Sequence, residues 1–181
     1  MEKTVLKRMT DGDRDAFRAV TTEFQQPVFS FVLKAVGSQD DARDILQETF
    51  IRVWQKRAEY DPERSFINWV LAIAHNLCMD FLRRKGRVIE VQADDDALKS
   101  WLESDTDTVR ELSNREWIQI VRALAERLGP LQRTVFTLSC LEGYESEEII
   151  RITGLDATQV KSNLYAAKQT IRKKLKELGY E

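Results

Sequence analysis

Residues 65–85 read Ser65-Phe-Ile-Asn-Trp-Val-Leu-Ala-Ile-Ala-His-Asn-Leu-Cys-Met-Asp-Phe-Leu-Arg-Arg-Lys85, with neither Gly nor Pro. Phe66, Val70, Ile73, Ala74, Leu77 and Phe81 recur at steps of three and four, which predicts a helix with these residues on one face. Asn68, Ala72, Asn76, Asp80, Arg83 and Arg84 run along a second face. That face starts near Tyr60, Phe66 and Trp69 and ends in the cations Arg83-Arg84-Lys85. Aromatic rings stack on unpaired bases, carboxamides bond base edges, and cations meet phosphates. One helix with all three chemistries suits the capture of an opened single strand. The same pattern also describes an ordinary amphipathic helix whose basic last turn complements its dipole.

The composition around this stretch points to an all-α protein. The chain has 181 residues, 43% hydrophobic and 32% charged, with three Pro. Helix formers dominate and few runs alternate with period two. The length allows one large domain or two small ones. No apolar run approaches the roughly 20 residues that span a bilayer. The first residues, Met-Glu-Lys-Thr-Val-Leu-Lys-Arg, lack a secretory apolar core, so a cytoplasmic protein is expected. Cys78 and Cys140 both fall in apolar helical patterns and read as buried free thiols. One His and two scattered Cys offer no metal site, and no cofactor motif is present. His75 has no catalytic constellation and reads as a surface or packing residue.

The Trp69-x3-Ile73-Ala74-x-Asn76-x3-Asp80-x2-Arg83-Arg84 pattern resembles the promoter-melting segment of extracytoplasmic-function sigma factors, the small members of the sigma-70 family. The resemblance implies that Trp69, Asn76, Asp80, Arg83 and Arg84 take part in −10 binding, with Asn76 beside a flipped base. Upstream, Asp13 is a candidate N-cap, and an apolar stripe from Ala16 to Val36 is expected to break or bend near Pro27 and to end at Gly37. Ser38 or Asp40 can cap the next helix. There Asp41, Asp44, Gln47, Glu48 and Ile51 share a face opposite an expected buried stripe of Ile45, Leu46, Thr49, Phe50, Val53 and Trp54. An acidic stripe with an exposed Ile suggests a basic protein partner, and a solvated face with acids suited to the helix dipole is the plainer alternative. Asp41-Ala-x-Asp44-x-x-Gln47-Glu48-x-Phe50-x-x-x-Trp54 resembles the sigma segment that grips the beta-prime coiled coil of core RNA polymerase.

The charge is unevenly distributed. Residues 1–86 carry 14 cations and 13 acids, residues 87–113 carry 3 and 8, and residues 114–181 carry 11 and 9. Residues 87–113, with Asp94-Asp95-Asp96, read as a flexible acidic linker with one short amphipathic turn near Leu98 and Trp101. Asn114 is a candidate cap for a helix that Gly129-Pro130 ends. Leu131 to Leu141 reads as a helix with Val135, Phe136, Leu138 and Cys140 inward. Ser146 is expected to cap a short helix that Gly154 closes, before a long helix from Thr158 to Leu178.

Helix, Gly-containing turn and basic helix form the pattern of a helix-turn-helix, although a simple amphipathic C-terminal helix has the same pattern. Thr158, Gln159, Lys161, Ser162 and Tyr165 lie at its front, with Lys168, Arg172 and Lys173 behind them for phosphates. Leu128-x-Pro130-x-x-Arg133-x-Val135-Phe136, Gly143-Tyr-x-Ser146-x-Glu148-Ile149 and Thr158-x-Val160-Lys161-Ser162 resemble sigma region 4. Ile150, Asn163 and Ala166 depart from the family pattern, which usually has Ala at the first and often Arg at the others.

The resemblance implies two small helical domains, region 2 over 1–86 and region 4 over 114–181, joined by the linker at 87–113. It implies −35 binding by Thr158, Gln159, Lys161, Ser162, Tyr165, Lys168 and Arg172. It implies partners in core RNA polymerase (beta-prime coiled coil and beta flap), promoter DNA and an anti-sigma factor, and no small-molecule substrate or membrane insertion. An autonomous helix-turn-helix regulator is the alternative. A hydrolase or transferase has no phosphate loop, nucleophile–base pair or ligand cluster to support it.

Overall fold

The computed structural model describes residues 2–86, 120–121, 123–125 and 127–179. All regular structure among these is helical. The linker expected at 87–113 and the cap expected at Asn114 lie outside the described residues.

Helix α1 spans Lys3–Thr10 and buries Leu6 and Met9. Helix α2 spans Arg14–Val36. Asp13 caps it as expected, with Oδ1 accepting from the N–H groups of Asp15 and Ala16 at 2.9 and 3.0 Å. These bonds, with Arg8 on the other oxygen, hold the Asp13 carboxyl below its usual range. Of the break or bend expected near Pro27, there is no break, and α2 continues through it. Proline removes one helical hydrogen bond. Burial of Val20, Val28, Phe31 and Val32 on both sides offsets that loss.

Gly37 ends α2 at φ 79°, with its N–H on the Leu33 carbonyl. Helix α3, Gln39–Gln55, starts from Ser38, whose Oγ accepts from the Asp41 N–H. A short 3₁₀ turn at Arg57–Glu59 leads to Tyr60. Tyr60 is buried and its hydroxyl donates to the Arg64 carbonyl at 2.7 Å, which fixes the loop before α4, Phe66–Gly86.

In the C-terminal half, residues 120, 121 and 123–125 are helical. Helix α5 is Pro130–Phe136, with Pro130 in its first turn, and passes into a π turn at Thr137–Leu141. The π turn explains one difference from expectation. Its wider winding shifts the facing of the residues within it, so Leu138 is buried whereas Cys140 is exposed. Helix α6 is Ser146–Thr153 and α7 is Ala157–Glu177. The residue before α6 is Glu145 rather than Ser146, and its N–H donates to Glu148 Oε2 at 3.1 Å. Gly154 makes the turn to α7 at φ 72°.

The core has two parts. One lies wholly in the C-terminal half, where Ile120, Leu124 and Leu128 meet Phe136, Ala167 and Ile171. The other runs from the α1–α4 bundle into Val135, Leu138, Ile149, Ile152 and Val160. Helix α4 therefore has two buried stripes. Phe66, Val70, Ala74 and Leu77 form the one that the sequence period predicts. Asn68, Leu71, His75 and Cys78 are buried as well, on a stripe outside that prediction. Helix α4 packs on α2, α3 and α6.

Candidate nucleic-acid and polymerase interface

The α3 face is built by periodicity. Ala42, Ile45, Thr49 and Val53 are buried, which turns Asp44, Gln47 and Ile51 to solvent. Ile51 is 50% exposed on this face. Asp41 and Glu48 are half-buried and already paired. Asp41 binds Lys85 Nζ at 3.3 Å, and Glu48 binds Arg52 Nε at 2.9 Å. The acids available without breaking a contact are thus fewer than the sequence pattern implied.

On α4, Asn76, Asp80, Arg83 and Arg84 are exposed along one side. Asp80 sits 3.4 Å from Arg83 Nη2, and Arg84 Nε donates to the Asp80 carbonyl at 3.2 Å. Trp69 is half-buried and touches Tyr60 and Phe66 with ring centroids 5.2 and 5.8 Å apart. Tyr60 and Phe66 are 5% exposed, so they support Trp69 instead of offering faces to bases themselves. Asn68 leaves the face the sequence assigned to it. It is 5% exposed, its Nδ2 donates to Glu148 Oε1 of α6 at 3.2 Å, and its Oδ1 is buried without a partner from the described residues.

On α7, Thr158, Gln159, Lys161, Ser162, Tyr165, Lys168 and Arg172 are all exposed or half-exposed, Tyr165 to 66%. Val160, Ala167 and Ile171 are buried behind them. Gln159 also has a local role. Its Oε1 accepts from the Asp156 N–H at 3.0 Å, while Asp156 Oδ1 accepts from the Gln159 N–H at 2.8 Å. This capping box holds the start of the helix.

The packing of α4 against α5 and α6 brings together residues that sequence reasoning did not connect. Lys34 of α2 pairs with Glu142 beyond the π turn. Arg133 is 8% exposed and its Nε donates to the Lys34 carbonyl at 2.5 Å. A side chain at Gly37 would put Cβ 3.2 Å from Arg133 Nη2, in addition to its left-handed backbone. Arg133 thus closes the end of α2 from the other half of the molecule. Burial pushes His75 down to about 4 and Cys78 up to about 12. Both are neutral inside at physiological pH. The signal that could have shown this second contact is the apolar surplus of α4: Leu71, Cys78 and Leu82 lie off its first stripe.

Residues 21–88 match the family Sigma-70 region 2, and residues 118–171 match Sigma-70, region 4. The chain is 28% identical to the ECF RNA polymerase sigma-E factor of Salmonella typhimurium over 98% of its length and 95% of the relative. It is 27% identical to the ECF RNA polymerase sigma factor SigW of Bacillus subtilis, over 98% of each chain. In fold it is similar to CnrH, solved in complex with the cytosolic domain of CnrY, with TM-score 0.68, 19% identity and 97% of each chain covered. It is also similar to the sigma factor RpoE in complex with the anti-sigma factor NepR from Bartonella quintana. That match has TM-score 0.66 and 20% identity, and covers 88% of this chain and 96% of the other. The chain belongs to the sigma-70 family, as a sigma factor of the extracytoplasmic-function type. Its function is to direct RNA polymerase to promoters.

Proposed function

We propose that the chain engages core RNA polymerase through the α3 face at Asp41, Asp44, Gln47, Glu48 and Ile51. Trp69, Asn76, Asp80, Arg83 and Arg84 would hold the −10 non-template strand. Thr158, Gln159, Lys161, Ser162, Tyr165, Lys168 and Arg172 would read and grip the −35 duplex. The observation that carries this reading is that most of these side chains are solvent-facing while the residues between them are buried. Base capture replaces part of the lost pairing and stacking energy with protein contacts, and so favours the opened promoter. Phosphodiester chemistry belongs to the polymerase, and the chain supplies no catalytic group. It works in the cytoplasm, where polymerase is; no helix among the described residues is long and apolar enough to cross a membrane. The region boundaries are 1–86 for polymerase and −10 binding and 114–181 for −35 binding. The complex of RpoE with the anti-sigma factor NepR supports an anti-sigma partner here.

Run-off transcription tests this function. Purified bacterial core polymerase on a pool of genomic promoter fragments should give defined transcripts only when the chain is added. Absence of transcripts together with absence of core binding would overturn it in favour of an autonomous DNA-binding regulator.

A further inference from the structure

A cleft of about 440 Å³ opens where the first turns of α2 meet the end of α3, lined by Arg14, Phe17, Arg18, Thr21 and Trp54. Its volume suits a small ligand. Phe17 and Trp54 are half-buried, with ring centroids 5.0 Å apart, and give it an aromatic floor. A third arginine, Arg57, lies 4.3 Å from the Trp54 ring centroid, and its Nη1 donates to the Trp54 carbonyl at 2.8 Å. Arg57 Nε is buried with no partner from the described residues. These three cations lack acids to match them. Among the described residues no acid pairs with Arg14 or Arg57, and Arg18 has only Asp15, at 3.5 Å, with both side chains more than four-fifths exposed. Arg14 is also the first residue of α2, where the helix dipole disfavours a cation. A cation set against its own helix without a compensating acid points to a ligand that supplies the missing charge.

We propose that this cleft binds a nucleotide, with its base against Phe17 and Trp54 and its phosphate on Arg14 and Arg18. The assignment uses none of the polymerase, −10 or −35 residues named above. Arg14 and Arg18 stand one turn apart on the same side of α2. Guanidinium forks match phosphate oxygens, and two of them at this spacing can hold one group together. The aromatic floor stacks on a base of any identity, because every base has a π-face. A simple carboxylate would answer the arginines and leave the rings uncovered. Thr21 donates its hydroxyl hydrogen to the Phe17 carbonyl at 3.0 Å, so its oxygen remains to accept from a base amino group or a sugar hydroxyl. The nucleotide can come free or as one unit of a single strand, and the recognising chemistry is the same for both.

The test is titration calorimetry on the full chain with ADP, GDP, inorganic pyrophosphate and the single-stranded octamer of deoxyadenosine. For a free nucleotide, ADP and GDP should bind, and Arg14→Ala with Arg18→Ala should weaken both by about tenfold or more, the effect of losing charge-assisted bonds to the phosphate. Pyrophosphate has no base to stack and should bind roughly tenfold more weakly than ADP. For a strand, ADP and GDP give no heat, and the octamer should lose about tenfold in the same double variant. Arg43→Ala with Lys176→Ala removes two exposed cations elsewhere and should cost the octamer no more than about twofold. Folding does not confound the result, because Arg14→Ala removes a cation from the positive end of the α2 dipole and puts a better helix former in its place.

ADP binding that survives Arg14→Ala with Arg18→Ala would place the nucleotide elsewhere and overturn the site. So would the absence of heat from ADP and GDP together with an octamer affinity that falls equally in the two double variants. Pyrophosphate that binds as tightly as ADP would overturn the nucleotide assignment in favour of a bare anion.

Discussion

At the scale of single residues, the structure separates groups that work by exposure from groups that work by burial. Asn76 is exposed on a helix, where Ala is the better helix former. Asn76→Ala should therefore leave stability unchanged or slightly raised, yet reduce promoter opening, read as lower permanganate reactivity of −10 thymines at equal promoter occupancy. Equal reactivity would remove Asn76 from strand capture. His75 is the opposite case. It is 3% exposed, its Nδ1 is buried without a partner from the described residues, and its pKa falls from 6.5 to about 4. The unfolded chain binds this proton more readily than the folded one, so the contribution is full above pH 6.5 and declines as pH falls toward 4. Between pH 7 and pH 5 the loss is about 2 kcal/mol. His75→Leu should remove that part of the pH dependence in urea unfolding; identical slopes for the two proteins would refute the burial account. Cys140 should react with a thiol reagent in the native protein, and Cys78, held neutral by burial, only after unfolding.

At the scale of elements, much was legible because helices advertise themselves by period and by their ends. The buried stripe of α3, the Asp13 cap and the closing glycines at 37 and 154 all follow from local sequence. The π turn after Phe136 was not legible, because one added residue per turn leaves no composition signature. Whether α2 breaks or continues at Pro27 was left open by the sequence for a related reason: a rule about proline in isolation yields to flanking burial. On α3, Asp44→Lys combined with Glu48→Lys should abolish core polymerase binding. The fold should survive, since Asp44 is exposed and the Glu48–Arg52 pair is a half-exposed contact within one helix worth under about 1 kcal/mol. Unchanged core affinity would show that polymerase uses another face. On α7, Lys161→Ala should weaken duplex −35 binding and reduce the salt slope by about one. A weaker complex with the parent slope would mean that Lys161 touches no phosphate.

At the scale of the whole molecule, the placement of one half on the other was the part no local pattern could give. Asn68 and Glu148 are 80 residues apart in the chain, and neither has an unusual neighbourhood in sequence. In the structure they are in hydrogen-bond contact, so α4 and α6 touch. The −35 and −10 elements are about 25 base pairs apart, roughly 85 Å along a duplex. A chain that reads both must separate these helices. With Cys140 replaced by Ser and dyes placed at the exposed Gln26 and Gln169 through cysteines, energy transfer should be high in the free chain and fall when core polymerase and promoter are added. Constant transfer would mean that the two halves move as one body. With Glu148 on Asn68, Arg133 on the Lys34 carbonyl and Lys34 on Glu142, the contact between the two halves is partly polar, so it can exchange its hydrogen bonds for water when the halves part.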